Sequence, residues 1–104
     1  MAKEIRWSVR ADQDRIDIFE YWTNRNKSTA YSIKLNKLFI ESLENLIEQP
    51  DLGREINSPL IRRIVVTNYL IYYEINSDFI KVLTIWDSRR NPKVQTINIL
   101  LSIS

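Results

Sequence analysis

At 104 residues the chain is long enough to bury one core but not two, and 44% apolar against 27% charged residues is the balance of an ordinary globular domain. It holds no cysteine and no histidine, which excludes a disulfide framework and removes the commonest metal ligands and the commonest general base. The net charge of +2 hides an asymmetry: residues 1–60 carry nine Lys/Arg against ten Asp/Glu, and residues 61–104 carry six against three.

One glycine and three prolines leave no room for a flexible linker, and there is no internal repeat, so residues 1–104 read as a single domain. No basic apolar leader and no long uncharged apolar run is present, so neither a signal peptide nor a membrane span is expected, and a cytoplasmic location fits. No cofactor, metal or small-molecule substrate is expected.

In chain order, Lys3 to Ser8 reads as a short strand with Ile5 and Trp7 on one face. Ser8 is placed to cap a helix whose early acids, Asp12 and Asp14, suit the positive end of the helix dipole. Ala11, Ile18, Phe19 and Trp22 form its apolar stripe, interrupted by Arg15, and the helix is expected to end near Trp22, with a polar turn over Thr23 to Lys27. Ser28 then caps a second helix reaching Glu48 or Gln49. Leu35, Leu38, Phe39, Leu43, Leu46 and Ile47 recur at three- and four-residue steps, the strongest periodicity in the chain. Lys37 and Glu41 are spaced for an i,i+4 pair. Pro50 stops this helix, and Gly53 and Pro59 punctuate an expected loop.

Three runs rich in Val, Ile, Tyr and Phe follow, from Leu60 to Val66, Tyr69 to Ile75 and Phe79 to Trp86, split by Thr67-Asn68 and Asn76-Ser77-Asp78. That is the pattern of an antiparallel meander. The set Tyr69, Ile71, Tyr73 and Ile75 is more apolar than Leu70, Tyr72 and Glu74 and is expected to face the helices. In the first run both faces are partly apolar, so alternation leaves open whether Arg62 or Arg63 points outward. Residues 93–104 alternate like a strand but also fit a helical stripe; an extended segment is favoured. The expected architecture is α+β: an N-terminal strand and a helical hairpin packed on one face of a twisted, mostly antiparallel sheet, β-α-α-β-β-β, with the C-terminal segment open.

The basic excess falls on the meander and its exit, Arg62-Arg63 and Arg89-Arg90. Nucleic acid or an acidic protein segment is the natural partner of such a surface, although the same charges also keep a small sheet soluble. Trp86 at the strand end reads as packing, with stacking on a nucleobase as the functional alternative.

Trp7-Ser8 with Ala11, Pro50 and Gly53, Arg62-Arg63-Ile64, Asn68-Tyr69-Leu70-Ile71-Tyr72-Tyr73, and Ile85-Trp86-Asp87-Ser88-Arg89-Arg90-Asn91-Pro92 together resemble the RelE/ParE superfamily of bacterial toxins from type II toxin–antitoxin systems. The resemblance covers nearly the whole chain. It implies a sheet with two helices on one face and a cognate antitoxin that holds the toxin inactive. It implies one of two targets: messenger RNA in the ribosomal decoding site for the RelE type, DNA gyrase for the ParE type. A member that only binds its antitoxin is a third possibility.

Metal-free RNA cleavage needs a base at the ribose 2′-hydroxyl, cations on the phosphorane and an acid at the leaving oxygen. By resemblance, Arg62 or Arg63 matches the first sheet arginine of the superfamily, and Arg89 and Arg90 match the basic residues after the last strand. A second arginine common in relatives is replaced around Tyr69-Leu70, Asp87 stands where many relatives carry histidine, and the tail Leu-Leu-Ser-Ile-Ser lacks a terminal tyrosine or histidine. Glu74, Asp87, Tyr72 and Tyr73 remain as acid/base candidates, each with a plain reading as packing, turn or ion pair. The nuclease reading expects Arg62 or Arg63 to converge with Arg89 and Arg90 in a groove on the sheet face away from the helices. The gyrase reading expects no such convergence, and the missing histidine and terminal acid favour it. Arg62, Arg63, Trp86, Arg89 and Arg90 are the candidate target-binding residues under either.

Overall fold

A computed structural model describes residues 4–89. β1 (Glu4–Trp7) is followed by α1 (Val9–Asn26), α2 (Ala30–Glu48), a 3₁₀ turn (Pro50–Leu52), and strands β2 (Arg54–Ser58), β3 (Ile61–Val66), β4 (Tyr69–Ile75) and β5 (Phe79–Asp87). The five strands form one sheet in the order β1-β5-β4-β3-β2. β1 runs parallel to β5, with Trp7 opposite Val82, and the other neighbours are antiparallel.

Ser8 fixes the start of α1 and ties it to the sheet. Its Oγ accepts from Ala11 N at 3.0 Å and donates to Leu83 O at 2.8 Å, while its own N–H donates to Val82 O at 3.0 Å. α1 continues one turn past the expected end at Trp22. Thr23-Asn24-Arg25-Asn26 contains neither proline nor glycine, so nothing there breaks the helix. It closes at Lys27, which adopts the left-handed conformation (φ 54°), and the amides of Lys27 and Ser28 both donate to Thr23 O. The N-cap of α2 is Thr29 and not the expected Ser28; the Ser28 hydroxyl instead accepts from Ala30 N at 3.2 Å. Buried Ser32 joins the two helices, donating to Phe19 O at 2.9 Å and lying 2.9 Å from Thr23 Oγ1. Lys37 and Glu41 form the expected exposed pair at 3.9 Å.

The stretch 50–59, expected as a loop, contains β2. Arg-Glu-Ile-Asn-Ser carries a single β-branched apolar residue, Ile56, so it has no period of its own; pairing with β3 makes it a strand. Asn57 (φ 63°) marks an irregularity in that ladder, as befits a short edge strand.

The meander lies where its sequence runs put it. In the ladder Val66, Ile64 and Arg62 stand opposite Tyr69, Ile71 and Tyr73, and this set faces the helices, where Leu35, Phe39, Leu43 and Leu46 are also buried. The expected inward set of β4 is therefore the observed one. The other face carries a smaller cluster of Ile61, Tyr72 and Leu83, flanked by Ile56, Leu70 and Trp86. The β4–β5 register slips by one residue at Tyr72/Tyr73. There Thr84 and Ile85 both turn to α1: Asp14 Oδ2 accepts from Thr84 Oγ1 at 2.6 Å and from Ile85 N at 3.0 Å. Residues 93–104, expected to be extended, lie outside the described residues, as does Arg90.

Candidate target-binding surface

Alternation along β3 separates the two adjacent arginines. Arg62 lies on the helix side of the sheet, and only 14% of its side chain is exposed. Its Nε donates to Pro59 O at 2.9 Å, its Nη1 to Gly53 O at 2.9 Å and to Asp51 O at 3.2 Å, and Nη2 stands 3.4 Å from Glu55 Oε1. Its donors thus hold the β2–β3 hairpin to the preceding 3₁₀ turn. Arg63 lies on the other face, opposite Tyr72 on one side and Arg54 on the other, with its guanidinium carbon 6.0 Å from the Tyr72 ring centre. The outward arginine that alternation left open is Arg63.

Tyr73 is fully buried. Its hydroxyl donates to Pro50 O at 2.7 Å and accepts from Gly53 N at 2.9 Å. Burial, above all, raises its phenol above the ordinary tyrosine range. A Cβ at Gly53 would stand 2.6 Å from that hydroxyl and 2.8 Å from Arg63 O, so the one glycine of the chain is there because the backbone passes the tyrosine too closely for any side chain. Tyr72 packs in the smaller cluster, and Glu74 accepts from Asn76 Nδ2 at 3.2 Å.

At the exit of β5, Asp87 and Arg89 hold each other. Asp87 Oδ1 accepts from Arg89 N and Nε, both at 2.9 Å, and Oδ2 accepts from Nη2 at 2.7 Å. The hydrogen bond to Asp87, and next its charge, push the guanidinium of Arg89 still further up. Both residues line a cavity of about 250 Å³ between α1 and the sheet, with Asp14, Asp17, Tyr21 and Tyr69. Tyr69 Oη accepts from Trp22 Nε1 at 2.8 Å, and burial raises its phenol as well. Trp86 lies on the opposite face, against the Ile61–Tyr72–Leu83 cluster.

These positions keep the candidates apart. Arg63 stands opposite Tyr72, whereas Asp87 stands opposite Tyr69, three residues along β4 and on its other side. Three residues of strand and two strand spacings are each roughly 10 Å. The two also belong to opposite faces, so Arg63 and the Asp87–Arg89 pair do not share one phosphate. The residue that joins Arg63 is Arg54, which the sequence reading placed in a loop. Its signal was only its type; the register that gives it meaning depends on β2.

A family model described as the ParE toxin of the type II toxin–antitoxin system, parDE, matches residues 5–92. The chain belongs to the ParE toxin family. The match spans every element from β1 to β5, so the resemblance and the α+β architecture expected from sequence both hold. No curated protein matches the chain. A solved structure titled "Chromosomal ParDE TA system from P. aeruginosa" is similar to it at 16% identity and a TM-score of 0.68, over 81% of this chain and 94% of that one. At that identity the likeness concerns the fold. In this ParE-family chain no described helix is long and apolar enough to cross a membrane.

Proposed function

We propose that this ParE-family toxin arrests growth by contact with DNA gyrase in the cytoplasm, without chemistry of its own, and that a cognate antitoxin neutralises it. The observation that carries the reading is the dispersal of the acid, base and cation candidates. Arg62 is spent on backbone carbonyls, Tyr73 on Pro50 and Gly53, and Asp87 on Arg89. Arg63 stands on the other face of the sheet from Asp87. Cleavage of RNA needs those parts within a few ångströms of one phosphate. A contact inhibitor needs only a shaped, charged surface.

Among the described residues, the Arg54–Arg63 juxtaposition suits the RelE-like alternative, since two guanidinium groups can grip a phosphate. Of the acid/base candidates, Tyr72 lies beside Arg63, but it is buried in the cluster with Ile61 and Leu83. Short induction of the chain without antitoxin separates the readings. Growth arrest with double-strand DNA breaks and no new 5′ ends on ribosome-bound messages is the expected result. New 5′ ends would overturn it in favour of the nuclease. Absence of arrest would leave a member that only binds its antitoxin.

A further inference from the structure

The ladder between β2 and β3 brings two arginines directly opposite each other, Arg54 and Arg63. Like charges so placed repel, and neither has a carboxylate partner among the described residues. The repulsion is uncompensated by any ion pair among the described residues. The ladder also stops at this pair, so among the described residues Ile64, Val65 and Val66 have no strand neighbour on that side. Beyond it opens a notch of about 310 Å³ lined by Ser42 and Asn45 of α2 and by Leu52, Arg54, Arg63 and Val65. Leu52 and Val65 are apolar yet 58% and 65% exposed.

We infer that this notch is a docking site for an acidic, extended segment of a partner protein, with a carboxylate seated between Arg54 and Arg63. The inference rests on the proposed neutralisation by an antitoxin and names the place on the toxin where the antitoxin is held. A guanidinium pair takes a carboxylate in a two-toothed grip and relieves its own repulsion. Apolar side chains beside that carboxylate cover Leu52 and Val65, and the free edge of β3 offers backbone partners to an extended chain. A nucleic-acid backbone fits less well, because it has neither apolar side chains to cover Leu52 and Val65 nor amide groups to pair along the edge of β3.

The test is the affinity of the full toxin for the antitoxin encoded beside it, with Arg54→Gln, Arg63→Gln and the double variant. Each single change is expected to weaken binding about tenfold or more, and the double variant to lose most of the salt dependence. The free single variants are expected to melt at or above wild type, because each relieves the repulsion. Unchanged antitoxin affinity in the double variant would overturn the site. Single variants that melt several degrees lower would also overturn it, since the arginines would then be holding the fold. If the double variant instead lost a single-stranded RNA oligonucleotide and kept the antitoxin, the notch would be a nucleic-acid site and the inference would fall. If wild type binds no antitoxin, the neutralisation reading fails by itself. The Arg54 and Arg63 Nε resonances, titrated with N-acetyl-glutamate, then decide the site: saturable shifts uphold it, and none refutes it.

Discussion

At the scale of single residues, Tyr73 shows how a candidate acid becomes a structural pin. Its hydroxyl satisfies two backbone groups of the turn that launches β2, Pro50 O and Gly53 N, inside a site with no exposure. Tyr73→Phe leaves both backbone groups without that partner and is expected to cost about 1–3 kcal/mol, read from urea denaturation. Growth arrest per folded molecule should stay at the wild-type level; a catalytic acid would instead abolish it with stability unchanged. Burial raises the phenols of Tyr73 and Tyr69 above the ordinary tyrosine value of 10.0 that they take in the unfolded chain. The native state therefore holds these protons more tightly than the unfolded one. Their stabilising contribution is complete below pH 10 and is lost as pH rises through the folded values. Tyr69 and Tyr73 should ionise above the ordinary tyrosine range in an ultraviolet titration, and unfolding should accompany their ionisation. Ionisation of both with the fold intact would contradict this.

At the scale of elements, the joint between α1 and β5 adds to the Ser8 contacts a carboxylate at a register slip. Asp14 receives both the Thr84 hydroxyl and the Ile85 amide, where the extra residue in β5 turns two successive positions to the helix. Asp14→Ala leaves two buried donors without an acceptor and is expected to destabilise the domain by about 2–3 kcal/mol in urea denaturation. Asp14→Asn, which keeps one acceptor oxygen, should lose less. Equal losses would show that the charge and not the acceptor matters. The elements differ in how legible they were. α2 announced itself because a helix packed on a sheet needs one continuous apolar stripe, and Leu35, Leu38, Phe39, Leu43 and Leu46 supply it. β4 was legible for the same reason at period two. β2 was not, since an edge strand of five residues takes its shape from its neighbour and one hydrophobic contact. The end of α1 was misplaced because the stop is a lysine held left-handed, a conformation no residue type advertised.

At the scale of the whole molecule, the fold was readable from alternation, helical period and the order of motifs, whereas the site was readable only as a set of residue types. Arg62 and Arg63 are neighbours in sequence and sit on opposite faces, one bound to backbone carbonyls and one beside Arg54. Asp87 is a carboxylate at a strand exit, but its oxygens are taken by the residue two positions on. Such facts depend on register and hydrogen-bond partners, which pattern alone does not carry. They also decide the central claim, that the toxin acts by contact and not by cleavage. The most direct test combines purified toxin, DNA gyrase, ATP and relaxed plasmid, with message-loaded ribosomes treated in parallel. The account predicts loss of supercoiling with accumulation of linear DNA and intact messages. Cut messages with gyrase unaffected would contradict it.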